Sequence, residues 1–388
     1  MDFSDNREHE SIREAIGRIC ANFGDDYWLQ RDRDGGFPHE LYNALAAGGW
    51  LGICMPTEYG GSGMGITEAT VMMTAIARSG AGLSGASSVH MNIFGLQPVV
   101  VFGSDAQKRR MLPPLIAGKD KACFAVTEPN TGLNTTKLKT RAERRGDHYI
   151  LSGQKVWIST AQVANKMLIL ARTTPAEDCP KPTFGLSLFY TDLDRQFVEV
   201  REIEKMGRKA VDSNQLFIDG LKVPVEDRIG EEGRGFEYIL HGMNPERILI
   251  AGEAVGLGQA ALERAVKYAN ERIVFDRPIG KNQGVQFPIA DAYIEIEAAN
   301  LMRFKAAQLF DANQPCGAQA NMAKYLAAKA SWEAANVCMQ THGGFGFANE
   351  YDIERKFRET RLYQVAPIST NLIFAYVAEH LLGLPRSF

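Results

Sequence analysis

Most of the spacings that betray enzyme chemistry are missing from this chain. The seven histidines show no HExxH and no paired metal-ligand spacing, and no GxxxxGK[ST] loop occurs to cradle phosphates. Ser84 lies in Gly82-Leu83-Ser84-Gly85-Ala86 rather than in a nucleophile elbow. Metal, P-loop and serine-hydrolase chemistry are thereby disfavoured. Gly256-Leu257-Gly258-Gln259-Ala260-Ala261 matches a dinucleotide string, but no strand precedes it and it falls inside a helical pattern. Its glycines read better as small residues that let helices approach. The six cysteines, Cys20, Cys54, Cys123, Cys179, Cys316 and Cys338, stand singly with no CxxC, and are expected to be reduced, mostly buried and chemically idle. What remains is a carboxylate in Asn244-Pro245-Glu246-Arg247. Read locally, Asn244 caps a helix, Pro245 takes its first position, and Glu246 is an acid favoured by the helix dipole. Phe124 and Trp157 read locally as aromatics of a β core.

Three kinds of texture must position these residues. Over 1–118 the apolar positions recur at helical spacing, as in Ile12, Ile16, Ile19, Cys20 and Phe23. Similar segments near 67–80, 86–103 and 105–117 complete an expected N-terminal α-helical domain. Over 119–232 the chain breaks into short runs, CFAVT, YILSG, KVWIS, KMLILART, FGLSLFY, FVEV and NQLFIDGLKVP, which predict a middle β domain of barrel or sandwich type. Turns are expected at Gly146-Asp147, Ser152-Gly153 and Asp219-Gly220, and Lys137–Arg141 alternates as a half-exposed strand would. Over 233–388 long helical segments near 236–271, 283–313, 316–341 and 370–382, joined by short connections, predict a C-terminal bundle. The fold class is α+β, in three domains.

Composition narrows the partners. With 388 residues, 45% hydrophobic and 23% charged, the chain has enough apolar content for substantial cores and is not a disordered polymer. Lys and Arg number 43 against 46 Asp and Glu, a net charge of −3, so no strongly basic field exists for nucleic acid or an acidic membrane surface. No apolar run reaches spanning length, and the first residues lack the basic and apolar regions of a signal peptide. A soluble, cytoplasmic protein is expected.

Several strings remain unexplained by any of this: AVTEP at 125–129, YILSGQKVWIS at 149–159, GLKVP at 220–224, ERIVFDRPIGKNQGVQFPIAD at 271–291, QTHGGFGF at 340–347 and RETRLY at 358–363. In that order and at these separations the chain resembles the acyl-CoA dehydrogenase family from about residue 5 to its end. The resemblance implies an N-terminal α domain, a middle β domain and a C-terminal four-helix bundle. It also implies an FAD-dependent enzyme that removes hydrogens from the α and β carbons of an acyl-CoA thioester to give the trans-2-enoyl-CoA, with an electron-transfer flavoprotein as electron acceptor. Such chemistry needs a carboxylate for the α proton, donors for the thioester oxygen and a flavin against the β carbon. By resemblance, Phe124, Val126 and Thr127 lie along one edge of the isoalloxazine, with Trp157 and Ser159 across its other side. Arg272, Phe275 and Gln283, with Gln340, Gly343 and Gly344, hold the ADP half of the FAD of a second subunit, which implies an oligomer, most simply a homotetramer built as a dimer of dimers. Ser369 and Asn371 fall on the adenylate side.

The chain also departs from the family. Many members carry the catalytic glutamate after an RDARLY-like string, where this sequence has Pro367, which can be neither a base nor a backbone donor. A branch similar to isovaleryl-CoA and long-chain acyl-CoA dehydrogenases places it on the first bundle helix before an arginine, and Glu246-Arg247 fits that pattern. The resemblance thus makes Glu246 the base, with Asn244 and Arg247 on the substrate side. Leu133 stands where a serine is usual, Ile368 replaces a glycine beside the flavin, and Phe345 enlarges the glycine-rich turn. These departures keep two alternatives open: a non-catalytic acyl-CoA-binding subunit of a hetero-oligomer, and a flavin monooxygenase or oxidase on the same fold. No metal is expected.

Overall fold

The computed structural model describes residues 6–387. Helices come first: α1 (Arg7–Cys20), α2 (Asp25–Asp34), α3 (His39–Ala47), α4 (Ile66–Ile76), α5 (Gly82–Phe94), α6 (Gln97–Phe102) and α7 (Asp105–Ile116). The segment expected as one helix over 67–80 stops at Ile76 and leaves through a wider turn, Ala77–Ala81, in which Gly80 takes φ 99°. Likewise 86–103 is two helices, because the chain leaves helical geometry at Leu96 (φ −97°, ψ 9°).

Eight strands follow: β1 (Ala122–Ala125), β2 (Arg141–Arg145), β3 (His148–Ser159), β4 (Lys166–Arg172), β5 (Leu186–Asp192), β6 (Val198–Glu202), β7 (Ser213–Pro224) and β8 (Arg228–Ile229). They form one sheet in the order β6-β7-β3-β2-β4-β5-β8, with β1 parallel to β4. Two expected turns are instead irregularities inside long strands. Ser152-Gly153 is a register shift of β3 against β7, and Asp219-Gly220 stays within β7. Gly153 is required there, since a Cβ would meet Thr140 Oγ1 at 2.5 Å. The expected strand over 137–141 begins only at Arg141. Its backbone has another partner: the N–H groups of Lys139 and Thr140 donate to the buried Glu128 carboxylate at 2.6 and 2.9 Å. Lys155, wholly buried, holds that carboxylate at 3.1 Å and also donates to the carbonyls of Val126 and Leu170.

The C-terminal part is built on α8 (Gly235–Glu271), α9 (Gln283–Asp311) and α10 (Gly317–His342), closed by the shorter α11 (Ile353–Thr360), α12 (Leu362–Val365) and α13 (Thr370–Tyr376). The glycines of the false dinucleotide string serve packing. A Cβ on Gly252 or Gly256 would overlap Thr70 or Thr74 of α4, and one on Gly258 would overlap Ile296 of α9. One apolar core therefore runs continuously from α1, α3, α4 and α5 through α8, α9 and α10. It fixes the first helices against α8, while the Phe94–Phe124 ring contact at 5.4 Å joins α5 to β1. The cysteines are all free thiols. Among the described residues no helix is long and apolar enough to cross a membrane.

Candidate active site

Asn244, Pro245 and Glu246 do not open a helix. They lie in the third turn of α8, which starts at Gly235, so the local reading of Glu246 as a first-turn acid is overturned. A proline there has no N–H to give to the preceding turn, and a carboxylate gains nothing from a distant dipole. Glu246 is moreover only 7% exposed, and its Oε2 has no protein partner. Burial pushes its pKa up to about 7, against the pull of His90, Arg247 and Lys324, while Glu253 adds to the rise. Folding has thus taken a carboxylate out of water, with one oxygen free to take a proton near neutrality.

The neighbours are equally unusual. Arg247 Nη1 donates to Asn244 Oδ1 at 2.9 Å, which turns both side chains toward the same side of α8. Lys324, in the alanine-rich α10, is fully buried and donates to the carbonyl of Ile368 at 2.7 Å; burial lowers its pKa to about 8, with Glu246 opposing. It thereby ties the Pro367-Ile368 turn to the helix facing Glu246. Pro367 itself is exposed. His90 on α5 meets Glu253 on α8 at 2.6 Å. Sequence reasoning passed over His90, Glu253 and Lys324. The one available signal was Glu253 itself, seven residues beyond Glu246 and hence on nearly the same face of a helix.

The β-domain residues lie on β1, on the segment just after it, and on β3. Val156 N–H donates to the Thr127 carbonyl at 2.9 Å, which joins the chain just past β1 to β3 beside Trp157. Trp157 sits at the second register shift of β3 with φ 61°, and its indole is 59% exposed. It is therefore not a core aromatic: a strained bulge presents a large flat ring outward. Ser159 Oγ accepts from Arg208 at 3.0 Å, and Phe124 and Thr127 remain half-buried beside the buried Val126.

A second cluster lies near the end of α10. Arg272, Gln340, Gly343 and Gly344 line a cavity of about 530 Å³ together with Tyr268 and Phe345. A Cβ at Gly343 or Gly344 would meet nothing within 4 Å, so the backbone there is open to close approach. Arg272 lies over the Phe345 ring at 5.6 Å, and Phe275 is 94% exposed with φ 52°. Gln283, the first residue of α9, is exposed nearby in sequence. Ser369 caps α13 by accepting from Leu372 N–H, and Asn371 is exposed on its first turn. Among the described residues no hydrogen bond, ion pair or ring contact joins this cluster to the Trp157 group. The exposed ring, the open glycine turn and the exposed Arg272 fit a large dinucleotide cofactor with a flat heteroaromatic head. No group of three or more His, Cys, Asp or Glu among the described residues is disposed to hold a metal ion.

Comparison with known proteins agrees along the whole chain. The acyl-CoA dehydrogenase N-terminal domain matches residues 6–119, the middle domain 123–221 and the C-terminal domain 233–382. Acyl-CoA dehydrogenase FadE12 of Mycobacterium tuberculosis is 37% identical over 388 residues, covering 100% of this chain and 99% of that protein. The caffeyl-CoA reductase-Etf complex subunit CarC of Acetobacterium woodii is 34% identical over 338 residues, 86% of this chain and 87% of its own. The solved structure of glutaryl-coenzyme A dehydrogenase with glutaryl-CoA superimposes with a TM-score of 0.93 at 32% identity, covering 100% of this chain and 98% of that one. The three-domain architecture, its helical, sheet and helical parts in that order, and a buried carboxylate facing α10 thus belong to a chain that is a member of the acyl-CoA dehydrogenase family of oxidoreductases.

Proposed function

We propose that the protein oxidises an acyl-CoA thioester to the trans-2-enoyl-CoA with Glu246 as the base that removes the α proton. The observation that carries this reading is Glu246 itself: buried, in mid-helix, with one oxygen free and a pKa about 7. A base is most effective when its pKa lies near the working pH. Bound FAD supplies the acceptor for the hydride that leaves the β carbon as the proton leaves the α carbon.

The remaining roles belong to the chain. Asn244 and Arg247 hold the substrate side of α8, and their mutual hydrogen bond fixes where Glu246 points. Lys324 keeps the Ile368 peptide turned toward α10 and lends positive charge to the site. Phe124, Val126 and Thr127 would hold one edge of the flavin, with Ser159 and Trp157 across its other side, where Trp157 would cover the ring and keep water off. Arg272, Phe275, Gln283, Gln340, Gly343, Gly344, Ser369 and Asn371 hold the ADP half, across a subunit boundary of a homo-oligomer. An electron-transfer flavoprotein takes the electrons onward, a role to which the Etf complex in the name of the CarC relative lends support.

The test is anaerobic addition of acyl-CoA thioesters to the FAD-loaded protein. Bleaching of the flavin with formation of enoyl-CoA is the expected result. A loaded protein that binds thioesters but never bleaches would support the non-catalytic subunit instead. Reduced protein that reoxidises rapidly in air with peroxide release would support an oxidase.

A further inference from the structure

Beyond Glu246 the buried face of α8 does not become wholly apolar. Glu253, fully buried, follows two turns later on α8, on the order of 10 Å further along the axis at 1.5 Å per residue. Its Oε1 is 2.6 Å from His90 Nδ1. One turn before His90 on α5, Ser87 Oγ lies 3.5 Å from Arg208 Nη1, and Arg208 Nη2 donates to Ser159 and Ser213 at 3.0 and 2.7 Å. Tyr363 of α12 is 1% exposed, and burial lowers the Arg208 pKa against the pull of Asp212, Glu253 and Glu359, with the Tyr363 phenol also close to the guanidinium. Direct contacts thus run from Glu253 to His90 on α5, and from Ser87 of the same helix to Arg208.

Their hydrogen bonding is incomplete in a consistent way. His90 Nε2, Glu253 Oε2, Arg208 Nε and Tyr363 Oη are all buried and without a protein partner. Buried polar atoms are nearly always paired, so four together mark a place where a ligand brings polar atoms. Burial opposes a charge on His90, while the charge and hydrogen bond of Glu253 favour it and raise the pKa, and the Nδ1 contact with Glu253 leaves Nε2 as the ring atom turned to a ligand. Arg208 bonds only to hydroxyls. The set thus offers Arg208 and Tyr363 as donors, Glu253 as an acceptor, and His90 Nε2 as a further polar atom for a ligand. A saturated alkyl chain would satisfy none of them.

We infer that this is an acyl subsite for an oxygen-bearing chain: a short acyl group whose far carbon carries a hydroxyl or carboxylate, bound by His90, Glu253, Arg208 and Tyr363. The inference rests on the dehydrogenase reading, which puts the α carbon at Glu246. A hydroxyl would donate to Glu253 and pair with His90 Nε2, whereas a carboxylate would draw on Arg208 and Tyr363.

Valeryl-CoA, ω-hydroxyvaleryl-CoA and glutaryl-CoA have acyl chains of equal carbon number and differ only at the far carbon. Anaerobic bleaching rates and Kd from the flavin spectral shift are measured for each on the FAD-loaded wild type. At least one oxygenated thioester is expected to exceed valeryl-CoA in kcat/KM by about tenfold or more, because a site built to hydrogen-bond rejects an analogue lacking the group. Whether the hydroxyl or the carboxylate leads identifies the chemistry. The double variant His90→Leu/Glu253→Leu removes both partners at once, and is expected to reverse the order of Kd in favour of valeryl-CoA. Valeryl-CoA equal to or better than both others on the wild type overturns the subsite while leaving the dehydrogenase reading intact, whether or not the double variant folds. Failure of every thioester, plain alkyl chains of other lengths included, to bleach the flavin overturns the dehydrogenase reading and the subsite with it.

Discussion

Replacing Glu246 by Gln separates a catalytic carboxylate from a structural one, because the two roles move stability in opposite directions. Burial raises the Glu246 pKa from 4.5 to about 7. Between those values the native state holds a proton that the unfolded chain has released, so the native state loses stability as pH rises through this window. Above pH 7 the penalty is complete, and at about 1.4 kcal/mol per tenfold it amounts to about 3 kcal/mol. A neutral amide of similar shape avoids it. Glu246→Gln is therefore expected to raise the thermal midpoint at pH 8 and to leave it nearly unchanged at pH 4. The same change should lower anaerobic flavin reduction about 100- to 10,000-fold, the usual worth of a positioned base. In the wild type, reduction should rise about tenfold per pH unit up to pH 7 and level off above, and this profile should vanish in the variant. A variant that keeps its rate, or that is less stable at pH 8, would refute the assignment. It would return Glu246 to the role of a packing residue.

Four further substitutions probe the frame around the base. Trp157→Gly should change apo-protein stability by no more than about 1 kcal/mol, since the indole is exposed and its backbone is left-handed, yet weaken FAD binding at least tenfold by equilibrium dialysis. Arg272→Ala should lower FAD occupancy and oligomer mass together on size-exclusion chromatography with light scattering, because ligand binding and assembly are linked; a stable colourless monomeric wild type that takes up no FAD would contradict this. Lys155→Met leaves the Glu128 carboxylate buried without its cation and should cost about 3–5 kcal/mol in denaturant unfolding, with loss of the order that holds Thr127 in place. Gly258→Ala forces a methyl group into Ile296 and to 3.2 Å from Ser331 Cα, and should cost about 1–3 kcal/mol without altering cofactor affinity.

The succession of helical, β and helical parts was legible because long amphipathic periods and short β-branched runs differ over many residues, and the family strings fell in order through all three. Particular elements were not. Ser152-Gly153 has turn chemistry, yet neighbouring strands hold the chain extended through it, and the glycine relieves contact with Thr140 instead of reversing direction. Lys137–Arg141 alternates like a strand, but the amides of Lys139 and Thr140 are taken by Glu128, a partner that lies eleven and twelve residues away. Asn244-Pro245-Glu246 carries a helix-start signature inside a helix, because packing of α8 against α4 and α5 overrides the local preference. Glu246 stood out as a candidate base only through family resemblance, and His90, Glu253 and Lys324 not at all, since each acquires its character from burial that no short string encodes.

The two departures at Pro367 and Glu246 have a common physical basis in Lys324. A buried ammonium must find acceptors, and this one donates to the Ile368 carbonyl while its charge falls on Glu246. Placing the carboxylate on α8 keeps a negative charge within reach of the same cation, so the site has an acid and a base that oppose each other's burial costs. Lys324→Met should then do two things at once. It should free the 366–370 turn, and it should push the Glu246 pKa further above 7, since the cation that favours its ionised form is lost. The pH midpoint of flavin reduction should move upward in that variant, with the plateau rate above it falling less than the rate at pH 7. An unchanged midpoint would mean that Lys324 serves the turn alone and that the base is set by burial, His90 and Arg247 without it.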